Sequence, residues 1–294
     1  MWFAFAVPER SLSAQVYVFA RQNLGVVAAG AFCWDRLDEA FPSAAYSKMF
    51  WHLPFPTTPL SDVELSNGLR IRAAEAQRVF DIRYDDPDGD ALHIAVRYEA
   101  IAAPHYLHTH LDQPGRFTGT ITLDGEAIAV DGWGFRDRSW GVRTQFGEGV
   151  VGPAEYAAYT YGTASAGDGF FTLSADFGGG PSGETTANVH GYLLRDGDIA
   201  PMREATRTVL ERSPAGHPAR VLVEGADAEG RTFTATGTAR NSLSMILNPN
   251  LFTINGLFDW RLDGLDGYGE DHDNWSAAGY RRFAARSRRT TGGS

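Results

Sequence analysis

The amino-acid sequence alternates between apolar and polar residues in short segments that end at turn residues. Residues two apart on a β-strand point to the same face of a sheet, so this alternation is typical of half-buried strands. Residues 91–98 form one such segment. Residues 117–123 and 126–130 form two more on either side of Asp124-Gly125, a dipeptide that favours a tight hairpin. The pattern predicts an all-β chain.

Few stretches of the sequence suit a helix. Residues 35–41 and 201–206 could each form a turn or two, and the aromatic, proline-rich residues 50–56 are predicted to be irregular, as a lid or a barrel plug. Strand-like segments recur roughly every 8–15 residues, which favours a sandwich or barrel over βαβ units. We therefore expect less than about a fifth of the chain to be helical.

The composition is that of an ordinary globular protein. The 294 residues are 43% hydrophobic, enough for one large or two ordinary domains. The net charge of −10, with no basic stripe, argues against nucleic acid and anionic membrane surfaces as partners. No apolar run approaches about 18 residues, so no transmembrane helix is expected. The N-terminus lacks the features of a signal peptide, which leads us to expect a cytoplasmic bacterial protein.

Two residue types occur only once. Cys33 is the only cysteine, so neither a disulfide within the chain nor a cysteine-based zinc site can form. Its neighbours are apolar, and we interpret it as a small buried hydrophobic residue rather than a reactive thiol. Lys48 is the only lysine, and nearly all the positive charge is arginine, which we attribute to genomic composition.

Three of the eight histidines, His105, His108 and His110, fall within six residues. On a strand, His108 and His110 would share one face, with Asp112 next along it. Such a group resembles a metal site, but it also suits an acid–base role, a polar pocket or a structural role. Because no further ligand follows at a motif spacing, we predict no stoichiometric transition metal. A metal-dependent hydrolase that uses the three histidines is an alternative.

A second cluster, residues 131–143, combines two tryptophans, three arginines and two aspartates with several glycines. Alternation predicts two sides of a strand, one with Phe135, Asp137 and Ser139 and the other with Arg136, Arg138 and Trp140. A carboxyl group beside apolar rings has its pKa raised by desolvation and can act as a general acid, whereas a nearby arginine opposes that shift. The same residues could instead form a structural Arg–Asp network that pins two barrels together.

A third cluster, residues 267–275, places four ionisable residues in a row, Glu270 to Asp273, shortly before Trp275. We interpret it first as a solvated turn, with a functional role as the alternative.

Residues 108–143 resemble a signature, G-x-R-D-x-S-W-G-x-R, of uncharacterised bacterial proteins related to carotenoid 1,2-hydratase and to AttH-like, double-lipocalin-type proteins. The residues that carry the resemblance are His108, Gln113, Gly115, Gly119, Asp131, Gly132, Gly134, Arg136, Asp137, Ser139, Trp140, Gly141 and Arg143. Residues 2–5 and 269–275 fit the same pattern more weakly. Arg138 stands where similar sequences often have histidine, so no histidine role is carried over to that position.

The resemblance implies two lipocalin-like β-barrel or sandwich halves packed together, residues 1–140 and 141–294, with few helices and a pocket near their junction. In the hydratase relatives, an aspartate protonates an isolated alkene and water captures the cation. We therefore expect an acid-type enzyme (a hydratase, dehydratase, isomerase or cyclase) that acts on a hydrophobic terpenoid- or steroid-like molecule. The alternative is a non-catalytic, lipocalin-like carrier of a hydrophobic ligand. No organic cofactor is implied, and the oligomeric state is left open.

Roles for particular residues follow from this expectation. Asp137 is the expected proton donor, and His108 or His110 would position water or accept a proton. The expected contacts with the substrate are Trp51, Trp133, Trp140, Arg136, Arg143 and Tyr106. The tryptophan rings would stabilise a developing cation, and the two arginines would hold the aspartate in place.

Overall fold

The computed structural model describes residues 1–141, 156–176, 184–248 and 251–291. This part of the chain is mostly β-strand, with one α-helix and three short 3₁₀ turns, which confirms the predicted all-β class. The chain divides into two compact units. Unit 1 is Met1–Asp35 with Pro42–Ser139, and unit 2 is Arg36–Phe41 with Trp140–Ser294. No helix in the described ranges is long and apolar enough to cross a membrane.

Unit 1 is built on one antiparallel sheet of eleven strands. The first twelve strands of the chain are β1 (Trp2–Val7), β2 (Leu12–Arg21), β3 (Val26–Trp34), β4 (Glu39–Ala40), β5 (Tyr46–Pro54), β6 (Asp62–Glu64), β7 (Leu69–Glu75), β8 (Val79–Asp85), β9 (Leu92–Ala100), β10 (His105–Leu107), β11 (His110–Leu123) and β12 (Glu126–Ser139). All except β4 join this sheet, in the order β5-β3-β2-β1-β12-β11-β9-β8-β7-β6, with β10 paired to β11.

One face of this sheet, the core face, holds the apolar core of unit 1. The rings of Phe5 and Phe117 stack with centroids 4.7 Å apart, and Tyr98 meets Phe117 edge-on at 5.1 Å. Gly134 makes this packing possible, because a Cβ there would come within 2.3 Å of a backbone oxygen and 2.6 Å of the Phe117 ring. The opposite face, the second face, carries the other half of each strand's side chains.

Polar contacts tie the edge strand β5 to strands that are not its neighbours in the sheet. The hydroxyls of Tyr46 on β5 and Tyr84 on β8 share a buried hydrogen bond of 2.7 Å. The ammonium of Lys48 forms ion pairs with Asp86 and, at 3.0 Å, with Asp88 in the turn after β8. These contacts curl the sheet around its core face.

Residues 50–54, most of the stretch predicted to be irregular, belong to β5, so the prediction of a lid or plug is wrong there. Val26 pairs with Pro54 and Val27 with Leu53, and a bulge absorbs the irregular spacing. An edge strand tolerates proline because its missing N–H is not needed on the open side.

Unit 2 contains a closed antiparallel barrel. Besides β4, unit 2 contains nine strands and one helix in the described ranges. They are β13 (Tyr156–Ser165), β14 (Asp168–Asp176), β15 (Thr185–Arg195), β16 (Asp198–Arg212), β17 (Pro218–Asp227), β18 (Thr232–Ala239), β19 (Leu243–Asn248), β20 (Leu251–Leu262), β21 (Leu265–Ser276) and α1 (Ala277–Thr291). The order β18-β17-β16-β15-β14-β13-β21-β20 returns to β18 through a β18–β20 ladder, which closes eight strands into a ring.

Neither of the two short helices expected from the sequence forms. Residues 201–206 lie within β16, and residues 35–41 include β4, which pairs in parallel with β19. An isolated turn or two of helix is weakly stable, and a sheet ladder offers every backbone group a partner. The helix that does form, α1, stacks Phe283 on Trp275 with ring centroids 4.9 Å apart. The sequence pattern did not indicate this helix.

A network of charged side chains fills one part of the barrel interior. The Arg207 guanidinium is fully buried and donates to the Asp271 carboxylate, at 3.1 Å from Nε, and to Asp273, at 2.9 Å from Nη2. Asp273 also accepts hydrogen bonds from Arg212, at 2.6 Å, and from the Tyr156 hydroxyl, at 2.5 Å. The two buried aspartates of β21 are therefore matched by two arginines.

The third sequence cluster is thus not a solvated turn, and that prediction is wrong. All four ionisable residues from Glu270 to Asp273 are buried in β21. Strand alternation directs Asp271 and Asp273 into the barrel network and Glu270 and His272 to the opposite face of the strand.

We expect Arg207→Met to lower the free energy of unfolding by about 3–5 kcal/mol, because it leaves buried carboxylates without their main partner. Arg203→Met is the matched control on the same strand. Arg203 is exposed and pairs with exposed Glu204, so its loss should cost less than about 1 kcal/mol. Urea denaturation of the three proteins makes the comparison, and equal losses for the two variants would contradict the interpretation.

The same network predicts a dependence on pH. Burial alone would raise the pKa of Asp273, but Arg212 and Arg207 outweigh it and lower that pKa below its ordinary value. A carboxyl whose pKa is lowered on folding contributes stability above its unfolded pKa and loses that contribution as pH falls. The wild-type free energy of unfolding should therefore decline below about pH 4, more steeply than that of Arg207→Met. Parallel pH profiles for the two proteins would argue against this coupling.

Candidate functional site

Four polar side chains gather on the second face of the unit 1 sheet, where β11 begins and β12 ends. His110 pairs in register with Ser139, and Asp112 pairs with Asp137. Partners in register share a face, as do residues two apart on one strand, so the four side chains form one patch. We call these four residues the His110 cluster.

The imidazole of His110 contacts every other member of the cluster. Its Nε2 lies 3.0 Å from Oδ2 of Asp112, and its Nδ1 lies 2.6 Å from Oγ of Ser139 and 3.9 Å from Oδ2 of Asp137. The Asp112 side chain is fully buried, whereas those of His110 and Asp137 are 13% and 22% exposed. Asp112 therefore anchors the ring from within, and Asp137 is the carboxylate open to another molecule.

Aromatic residues lie on the same face of the sheet as the open carboxylate. Trp2 of β1 pairs in register with Asp137, and its ring centroid lies 6.3 Å from that of Phe135. Trp133 lies on the same face, four residues before Asp137, and is half-buried. The open carboxylate of Asp137 therefore lies on a sheet face that also carries three aromatic side chains.

The structure brings together some residues that the sequence analysis did not assign to the site. Ser139 and Asp112 complete the cluster, and His105 pairs in register with Asp112. Trp2 reaches Asp137 only through the β1–β12 ladder. The alternation of β11 and β12 around the Asp124-Gly125 turn was the signal for Asp112 and Ser139. For Trp2, the weak family resemblance of residues 2–5 was the signal.

Arg136 does not join the cluster. It lies on the core face, 2% exposed, where Nη1 donates to Oε1 of Gln113 at 2.9 Å and the guanidinium lies 4.4 Å from the centroid of the Phe80 ring. Burial lowers the pKa of this guanidinium. The prediction that Arg136 holds the carboxylate of Asp137 in place is therefore wrong, because the two side chains lie on opposite faces.

The other expected site residues are scattered. His108 is exposed in the turn before β11 with a φ of 51°, so the prediction that it shares a strand face with His110 is wrong. Tyr106 is 47% exposed on β10, and Trp140 is 40% exposed just after β12. Trp51 lies on β5, four strands or about 19 Å along the sheet from β12. Arg143 lies outside the described residues.

Three members of the His110 cluster could hold a metal ion. One ligand atom from each of His110, Asp112 and Asp137 lies within 4.8 Å of the others. Nitrogen and carboxylate donors suit several divalent ions. The set includes His110 but neither His105 nor His108, so it differs from the three-histidine site weighed from the sequence. The absence of a metal stays a prediction.

A Ser–His–Asp set in unit 2 lacks the geometry of a nucleophilic triad. Nδ1 of His217 lies 2.7 Å from Oγ of Ser242 and 3.4 Å from Oδ1 of Asp38. A triad uses one ring nitrogen for the serine and the other for the carboxylate. Burial lowers the pKa of His217, and the set fastens the segment that carries β4 to the barrel.

Unit 2 also has a buried acid–imidazole pair on the outer face of β21. Nε2 of His272 lies 2.9 Å from Oε2 of Glu270, and the imidazole stacks on Tyr159 at 5.7 Å. Burial raises the pKa of the neighbouring Tyr161 well above its ordinary value, with Glu270 adding to the shift.

Cys33 in unit 1 is a buried free thiol. Burial raises its pKa to about 12, which agrees with its interpretation as an unreactive core residue.

The fold and this site define a protein of two lipocalin-like units with an acidic, histidine-containing cluster on the sheet of the first. Residues 1–276 match the family described as a domain of unknown function, DUF7064, and the chain belongs to that family. No curated protein matches the sequence.

Two solved structures share the fold. An AttH-like protein from Nitrosomonas europaea has a TM-score of 0.61 at 12% identity, over 92% of this chain and 90% of its own. Kievitone hydratase from Nectria haematococca has a TM-score of 0.56 at 9% identity, over 94% of this chain and 88% of its own. At these identities the likeness establishes the two-unit, lipocalin-like fold, and the resemblance to carotenoid 1,2-hydratase stays a prediction.

We expect elemental analysis of purified, dialysed protein to show well under one equivalent of zinc, iron or manganese. Added zinc should leave the unfolding temperature unchanged, since only a ligand that binds the native state stabilises it. One equivalent of metal that is retained by Asp131→Asn, an exposed control on β12, but lost from His110→Gln and Asp137→Asn would overturn this expectation.

Proposed function

We propose that this protein is a hydratase-type lyase that adds water to, or removes it from, a carbon–carbon double bond in a hydrophobic small molecule. The observation that carries the proposal is the His110 cluster, in which a partly exposed carboxyl group lies beside an imidazole, at a strand position directly opposite Trp2. The fold shared with kievitone hydratase supports the same class of reaction.

The chemistry requires a proton donor that is regenerated. The Asp137 carboxyl group would protonate one carbon of the alkene, and a water molecule would attack the resulting cation at the other carbon. The oxonium then returns a proton to the carboxylate, so that one water is added and the cluster is unchanged. His110, held in place by Asp112 and Ser139, would exchange a proton with the carboxylates of Asp112 and Asp137.

The aromatic residues around Asp137 favour a terpenoid- or steroid-like substrate. Trp2 and Trp133 present ring systems on the same face, and a ring face attracts a developing cation. A cation formed there could lose a different proton or be attacked by a second double bond, so an isomerase or cyclase of the same acid type uses the same residues. No organic cofactor enters any of these steps.

The alternative proposal is a carrier that binds the same kind of ligand without reaction. A carrier needs the apolar rings but not the acid, so the two functions differ in what they require of Asp137.

We expect Asp137→Asn to reduce turnover by about 10²–10⁴-fold, the usual contribution of a general acid, without loss of the fold. Candidate substrates are a panel of unsaturated terpenoids and steroids, together with kievitone and any ligand that co-purifies. Reaction in heavy-oxygen water, followed by mass spectrometry, detects one added oxygen in the product. Asp131→Asn is the matched control, since Asp131 is exposed on the same strand and pairs with Arg116.

Three outcomes would contradict the proposal. A panel ligand that binds without incorporating oxygen, in wild type and variant alike, would identify a carrier. Normal turnover by Asp137→Asn would remove Asp137 as the acid. Loss of the folded state in Asp137→Asn, measured by thermal unfolding, would show that the cluster is structural.

A further inference from the structure

A shallow cleft of about 520 Å³ lies on the second face of the unit 1 sheet, far from the His110 cluster. Four arginines and two aspartates line it, namely Arg70, Arg72, Arg83, Arg97, Asp62 and Asp81. Its Thr118 is six residues, or about 20 Å, along β11 from Asp112. The whole protein carries a net charge of −10, so this local excess of positive charge runs against its overall charge.

Close ion pairs with carboxylates involve two of these four guanidinium groups, and Asp62 lies opposite Arg72 in register. Arg97 donates to Asp81 at 2.8 Å, and Arg70 pairs with Glu64 at 3.0 Å. Within the described ranges, neither Arg72 nor Arg83 forms an ion pair with a carboxylate. The hydrogen bond from Arg97 lowers the pKa of Asp81, and the charges of Arg72 and Arg83 lower it further. The Asp81 carboxylate is therefore close enough to interact with three arginines.

Two of the arginines oppose each other directly. Arg70 on β7 and Arg83 on β8 are partners in register, and like charges placed so are destabilising. The next positions across the sheet are Ala95 on β9 and Thr120 on β11. Their short side chains leave room beside Arg83. An anion in that space would convert the repulsion between the two guanidinium groups into a shared attraction.

We propose that this cleft binds a small oxyanion of the diphosphate class. A guanidinium offers a planar fork of N–H donors that matches phosphoryl oxygens. Neighbouring strands lie about 4.8 Å apart, and residues two apart on a strand, such as Arg70 and Arg72, about 6.6 Å apart. Two linked phosphoryl groups present acceptor oxygens over that span, whereas one carboxylate matches the fork of N–H donors of one guanidinium group.

Titration calorimetry with inorganic pyrophosphate at low ionic strength tests the proposal. We expect one saturable site in the wild type, and affinity lower by at least about tenfold in Arg72→Gln and in Arg83→Gln, since each loses charge-assisted hydrogen bonds. Arg78→Gln is the matched control. Arg78 is also exposed, but it lies outside the cleft, in the turn between β7 and β8, and pairs with Glu75 and Glu99. Its affinity should match that of the wild type.

Thermal unfolding separates binding from folding. Without anions, Arg83→Gln should unfold at the wild-type temperature or above it, because it removes the repulsion with Arg70. Pyrophosphate should raise the unfolding temperature of wild type and Arg78→Gln but not of Arg83→Gln. The proposal is overturned if the wild type shows no saturable binding or if all three variants weaken it equally. Citrate that binds as tightly as pyrophosphate would overturn the phosphoryl assignment.

Discussion

The hydrogen-bonded ladder between β11 and β12 determines the position of nearly every functional group in unit 1. The two strands of 14 residues each pair along their whole length without a register shift. This pairing puts Asp112 opposite Asp137 and His110 opposite Ser139. A slip of one residue would exchange the two faces of the sheet, and Arg136 would then replace Asp137 beside the imidazole. The glycine at 134 and the packed rings of the core face hold the register, because only one of the two faces fits that core.

Strand alternation also explains how this chain buries so many charged residues. In β12, successive residues Arg136 and Asp137 point to opposite faces, where one meets Gln113 and the other His110. In β21, the row of four ionisable residues divides in the same way. A buried charge is tolerated when it is paired and hydrogen-bonded, and each face supplies its own partners. Adjacent charges in the sequence are therefore members of separate networks.

The predicted hairpin at Asp124-Gly125 implies the register of the candidate site, although not its full membership. Counting outward from the Asp124-Gly125 turn places Asp112 opposite Asp137 and His110 opposite Ser139, because a two-residue hairpin fixes all later pairs. The same count cannot place Trp2, since its strand reaches β12 from the other end of unit 1. It also cannot place His108, whose left-handed backbone turns the chain just before the strand. Helices were predicted where the sheet supplied better partners, and α1 was missed because its packing on Trp275 is a tertiary contact.

The solitary Lys48 gives the molecule an unusual response to amine-reactive reagents. Its hydrogen bond to Asp86 raises the pKa of the ammonium, and only 28% of the side chain is exposed, so acylation is slow while β5 stays in place. The α-amino group donates to the carbonyl of Val18 in the same sheet. Fraying of β5 would expose Lys48 and accelerate its labelling. Because the chain has no other lysine, the rate at which Lys48 is labelled reports how often the edge of the sheet opens.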